Sequence, residues 1–149
     1  MNQDQYDVKK SELAEQQDYL TSEYLKNRSN LEFEYNDKTD EIKNKITANL
    51  DEYSEYKKIG DGYINGLLEI QNKIENFVEA DYEYSAGKVN DMYQNEIQNY
   101  LNKDEQLNQE LSDLKIKYEN DDDKLTNNYN KSMKKFDDRL EDLKREFNE

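Results

Sequence analysis

Leu107-Asn108-Gln109-Glu110-Leu111-Ser112-Asp113-Leu114-Lys115-Ile116-Lys117-Tyr118 decides the fold. Leu107, Leu111, Leu114 and Tyr118 are separated by steps of four, three and four. An α-helix turns once in 3.6 residues, so those steps return to one face, whereas a strand would need strict alternation. The pattern extends backwards through Tyr93, Ile97, Tyr100 and Asp104, and forwards through Asp121 and Leu125. A four-four step through Tyr129 to Met133 follows, then Phe136, Leu140, Leu143 and Phe147. Such a step locally unwinds a left-handed supercoil.

Nothing in the chain interrupts this rhythm strongly. The 149 residues contain no Pro, and Pro is the strongest helix breaker because it lacks an N–H and its ring clashes with the preceding turn. The N-terminal part repeats the pattern at Tyr6, Leu13, Leu20, Tyr24, Leu31, Tyr35, Ile42, Ile46, Leu50 and Tyr53. This predicts a helix over 4–58 with an apolar seam that weakens at Arg28 and Lys38. Three of the four glycines then fall together, at Gly60, Gly62 and Gly66. Gly often ends a helix, and Lys57-Lys58 before it suits a C-terminal dipole. A turn at 59–63 is therefore expected, folding the chain into a hairpin. The alternative is a hinge between collinear helices.

The seam restarts at Tyr63, Leu67, Ile70, Ile74 and Phe77, continues to Asp81 and Tyr84, and shifts near Gly87. A second helix over 64–147 is expected, with Gly87 and Asn102-Lys103-Asp104 as candidate kinks. Asp81, Asp104 and Asp121 occupy seam positions and read first as wet gaps. Their alternative role is to fix pairing register, as polar core positions do in coiled coils. Tyr82 and Tyr84 cannot share one seam, so one of them marks a second contact surface. No tandem repeat of fixed length beyond the heptad is evident. The expected fold is all-α, an elongated long-helix hairpin or coiled coil of two or three helices broken at 59–66, in one domain.

Composition bounds the function. Only 33% of residues are hydrophobic and 38% are charged, enough apolar material for one narrow seam per helix but not for a thick core. The net charge is −15, which repels phosphate backbones and disfavours direct nucleic-acid binding. Residues 75–123 carry 14 acids and 4 bases, whereas 124–149 carry 6 acids and 7 bases. In that last stretch, acids and bases three and four residues apart predict intrahelical ion pairs. No segment approaches the roughly 20 apolar residues of a membrane span. Residues 1–10 lack an apolar signal-peptide core, so synthesis in the cytoplasm is expected, with packaging into a virion as the further possibility.

Catalysis is not expected. There is no His or Cys, and the 36 carboxylates are spread along solvated faces. No phosphate loop or nucleophile elbow occurs. Asn120-Asp121-Asp122-Asp123 resembles the start of a calcium loop, but Thr126 and Ser132 stand where Gly and Glu are required. No cofactor or metal is expected. The 13 tyrosines, several of them on the seam, suit an interface that buries rings while keeping hydroxyls wet; the alternative is that Tyr simply replaces Leu in a thin bundle.

A hairpin with a Gly-containing turn resembles the small helical proteins and partner chaperones of type VII secretion. Tyr63-Ile64-Asn65-Gly66 is the nearest match to that family's Trp-x-Gly turn, and its Tyr-x-x-x-acid signal has counterparts at Tyr19–Glu23, Tyr100–Asp104 and Tyr118–Asp122. The chain has no Trp. It also resembles, over its whole length and in composition, the acidic helical scaffolding and internal core proteins of tailed bacteriophages. That resemblance implies a structural protein acting in many copies, as a homo-oligomer or part of a larger assembly. The expected helix–helix interface is Tyr63, Leu67, Ile70, Ile74, Phe77, Leu107, Leu111, Leu114, Tyr118, Leu125, Tyr129, Met133, Phe136, Leu140, Leu143 and Phe147. An acidic adaptor for a basic protein surface is a further alternative.

Overall fold

A computed structural model describes the backbone of residues 1–73 and 79–148, with every side chain in those ranges except 70–72 and 79–85. Helix α1 spans Gln3–Lys73 and helix α2 spans Glu79–Asn148. Among the described residues there is no strand. The fold is all-α, a hairpin of two long helices.

The start of α1 is fixed by a reciprocal cap. The Asn2 side chain accepts from the Gln5 backbone N–H at 2.9 Å, and the Gln5 side chain accepts from the Asn2 N–H at 3.1 Å. This capping box satisfies two donors that a helix start leaves without intrahelical partners.

The break expected at 59–66 is absent. α1 runs through Gly60, Gly62 and Gly66 and ends at Lys73, and no glycine has positive φ. A glycine inside a helix costs only about 1 kcal/mol relative to Ala, less than a well-packed seam returns. α2 likewise continues through Gly87 and 102–104.

The chain divides into two compact units. Unit 1 comprises Met1–Lys38 and Asp113–Glu149, and unit 2 comprises Thr39–Ser112. Both are antiparallel helix pairs. In unit 1 Tyr6 meets Phe147, Tyr24 meets Tyr129 and Tyr35 meets Tyr118. In unit 2 Tyr53 meets Tyr100 and Tyr56 meets Tyr93.

The seam follows one spacing on both helices. Positions 6, 13, 17, 20, 24, 31, 35, 39, 42, 46, 49 and 53 of α1 are buried or half-buried. Positions 100, 107, 111, 114, 118, 125, 129, 133, 136, 140, 143 and 147 of α2 are too, at the same steps, and between them the seam residues Asp104 and Asp121 are half-buried as well. The repeat is one of spacing rather than residue identity, which hides it from sequence inspection.

Candidate helix–helix interface

In unit 1 the interface is built from aromatic rungs. Tyr6 and Phe147 stack with centroids 4.4 Å apart, Tyr24 and Tyr129 at 4.1 Å, and Tyr35 and Tyr118 at 4.4 Å. From Tyr6 to Tyr24 is 18 residues and from Tyr24 to Tyr35 is 11; α2 takes the same steps in reverse. Eighteen residues are five turns at 3.6 per turn, and 11 are close to three, so every rung stays on the facing side.

The central rung carries its own hydrogen bonds. The Tyr24 hydroxyl is 2.9 Å from Thr126 Oγ1, and the Tyr129 hydroxyl is 2.9 Å from Thr21 Oγ1. Each Tyr therefore bonds the Thr three residues before its stacking partner. The rings exclude water while the hydroxyls stay paired.

Arg28, where the sequence predicts a weak seam, lies beside this rung. Its Nε donates to Asp122 Oδ1 at 3.2 Å. The Asp122 carboxylate holds the guanidinium pKa above its ordinary value. The Tyr118 hydroxyl is raised first by burial and then by Asp122. Lys38, the other weak point, is exposed, and the seam passes through Thr39 instead.

Unit 2 interlocks differently. The Tyr93 ring lies over Gly60, where an added Cβ would overlap Tyr93 Cε2. The missing side chain is a notch for the ring rather than a turn. From it the Tyr93 hydroxyl donates to the Lys57 carbonyl at 3.3 Å and to Asp61 Oδ1 at 3.0 Å. Burial, followed by the Asp61 bond, raises the Tyr93 pKa. Nearby, Tyr53 meets Tyr100 edge-on at 6.1 Å. Asn49 is the most buried side chain of the described residues at 2% exposure, and its Nδ2 donates to the Tyr100 carbonyl at 3.0 Å. Asn49 Oδ1 and, in the same unit, Thr39 Oγ1 are buried without a hydrogen-bond partner.

The expected interface residues fall as follows. Leu107 and Leu143 are buried, each 6% exposed. Leu67, Leu111, Leu114, Tyr118, Leu125, Tyr129, Met133, Phe136, Leu140 and Phe147 are half-buried. Tyr63 is not on the seam: it is 58% exposed, and the helix turns Gly60 and Ile64 inward instead. Leu50 is also turned outward, displaced by Asn49. The side chain of Ile70, and Ile74 and Phe77 entirely, lie outside the described residues, as do the side chains of Asp81, Tyr82 and Tyr84. Gly62 and Gly66 have open space where a Cβ would sit.

The sequence reading missed Tyr56, Asn49 and the cap. Tyr56 sits three residues beyond Tyr53 on the same face, so continuing the heptad would have found it. The Asn2-x-x-Gln5 spacing was the signal for the cap.

Outside the interface the helices are charged. Arg145 pairs with Glu141 and Asp142 at 3.7 Å, and Lys45 with Glu41 at 3.6 Å. Among the described residues no group of three or more acidic side chains converges as metal ligands. None of the described helices is long and apolar enough to cross a membrane. No protein-family model, curated protein or solved structure matches this chain.

Proposed function

We propose that this chain is a non-enzymatic structural protein that works by helix–helix association in multiple copies. The observation that carries the reading is the seam itself: twelve matched positions per helix, faced with aromatic rungs and flanked by charge. The polar geometry described above serves pairing. The hydroxyls of Tyr24 and Tyr129 bond threonines across the interface, and those of the Tyr93 notch bond the facing helix. The specific role we propose is a scaffold or internal component of a bacteriophage virion, on the strength of the acidic, Pro-free, helical composition.

Light scattering with far-UV circular dichroism tests this reading. The expected result is a helical multimer that co-sediments with the capsid or portal proteins encoded beside it. Replacing Leu140 and Leu143 by Asp should lower the oligomer mass at least to half. An unchanged mass in that variant would overturn the reading that this seam joins copies.

A second reading follows from the hairpin architecture, which type VII secretion helical proteins share. The Tyr63–Gly66 segment that carried that resemblance lies inside α1 rather than at a turn, so the observation favours the assembly reading. A one-to-one complex with a neighbouring helical protein would reverse that preference.

A further inference from the structure

Unit 2 brings two polar residues to one height of its seam. Tyr53 of α1 meets Tyr100 of α2. Asn49 lies one helical turn before Tyr53, and Asp104 lies one turn after Tyr100. The helices run antiparallel, so both residues fall in the next layer. The hydrogen bond from Asn49 Nδ2 to the Tyr100 carbonyl at 3.0 Å agrees with that height. Helix carbonyls point toward the C-terminus, and so toward Asp104. Asn49 is 2% exposed and Asp104 is half-buried. By the same count, Ile46 and Leu107 fill the layer beyond.

We propose that Asn49 and Asp104 together fix the register of unit 2, at a cost in its stability. This goes beyond the assembly reading, because it concerns pairing within one chain, whatever the number of copies.

The cost lies in one atom. Asn49 Oδ1 is buried without a hydrogen-bond partner, and a buried unpaired oxygen destabilises. A leucine in its place would bury apolar surface instead. Stability alone therefore does not call for an amide at this position.

The return lies in the alignments that the pair disfavours. A slip of one heptad in one direction sets Asn49 against Leu111 and Asp104 against Tyr56. A slip the other way sets Asn49 against Ile97 and Asp104 against Ile42. Either one replaces a single shared polar layer by two layers in which a polar group faces an apolar or aromatic side chain. A seam of apolar residues alone looks much the same after every heptad and resists neither slip. Polar core positions fix register in coiled coils for this reason.

Thermal melts test the cost. Asn49→Leu should raise the melting temperature, and a fall would overturn the proposal. Each single leucine variant leaves the other polar group facing a leucine. Asn49→Leu with Asp104→Leu should therefore raise the melting temperature by more than the two singles combined. Strictly additive effects would put the two residues in separate layers and overturn it. The chain has no native Cys, so spin labels at Glu55→Cys and Glu110→Cys, both exposed in unit 2, read the register. Dilution with unlabelled protein isolates distances within one chain. A one-heptad slip moves these labels about 10 Å along the axis relative to each other, at 1.5 Å of rise per residue. Because Tyr93 over Gly60 also holds the height, the labelled chains carry Gly60→Ala as well. One label distance is expected with Asn49 in place, and a distribution over at least two with Asn49→Leu. Several distances with Asn49 in place, or one in both chains, would overturn the proposal.

Discussion

Units 1 and 2 join the same two kinds of helix by different means. Unit 1 stacks ring on ring at matched heights, with interplanar angles of 27°, 10° and 17°. Unit 2 sets its rings edge-on or offset, sinks Tyr93 over Gly60 and buries Asn49 against a backbone carbonyl. Stacked rungs repeat with the helix and tolerate any arm of the same spacing. A notch and a buried amide fit one partner position only. Unit 1 is thus held by a repeating stack, and unit 2 by a notch and a buried amide that set its own register.

The comparison breaks most severely at the best-packed aliphatic residues, one in each unit. Leu143→Ala in unit 1 and Leu107→Ala in unit 2 should each lose about 2–3 kcal/mol, toward the lower end for buried leucines because the core is one seam thick. Urea denaturation followed by circular dichroism measures both. A loss below 1 kcal/mol at either would show that its seam does not carry the unit.

Glycine substitutions sharpen the contrast within unit 2. Gly60→Ala places a methyl group inside the Tyr93 ring and should destabilise by about 1–3 kcal/mol, as overpacking does. Gly62→Ala, two residues on and facing open space, should stabilise by about 0.4–1 kcal/mol through the unfolded chain. Opposite signs in thermal melts confirm the notch; the same sign removes it.

In unit 1 the test is chemical rather than steric. Tyr24→Phe keeps the stack and removes one hydroxyl, so it should cost about 1 kcal/mol, the usual net value of one hydrogen bond. Thr126→Val should cost a similar amount, and the double variant no more than either alone, because both remove one bond.

Alkaline titration reads both units together. The pKa values of Tyr93, Tyr100 and Tyr118 are all raised above 10.0, burial being the first cause in each. A raised folded pKa means the stabilisation is fully present below pH 10 and is lost as pH climbs through the raised values. Helicity and tyrosinate absorbance should therefore change together above pH 10, with nothing at neutral pH. Tyrosine ionisation at its ordinary value with helicity intact would contradict the burial of these hydroxyls.

The smallest effect is expected at Arg28. The side chain is half exposed, so Arg28→Ala should shift the melting temperature slightly at low salt and not at all at high salt. A shift that survives high salt would make this pair a structural element rather than a surface contact.

The α2 seam was legible from the chain alone. Its apolar residues recur at 3.6-residue spacing, and a helix with such a stripe must bury it, so Leu107 through Phe147 could be placed on one face before any partner was known. The absence of Pro made long helices the only economical backbone. The exclusion of strands rests on the same period.

Only the tertiary structure decided what stands opposite what. Gly60 reads as a helix terminator because the chain shows a missing side chain but not the ring that fills the space. Asn49 took the inward position from Leu50, one residue on, and its side chain meets the Tyr100 carbonyl, 51 residues away in sequence. Period is a local property and is written in the sequence. Register is a property of two helices together, and it exists only once they are packed.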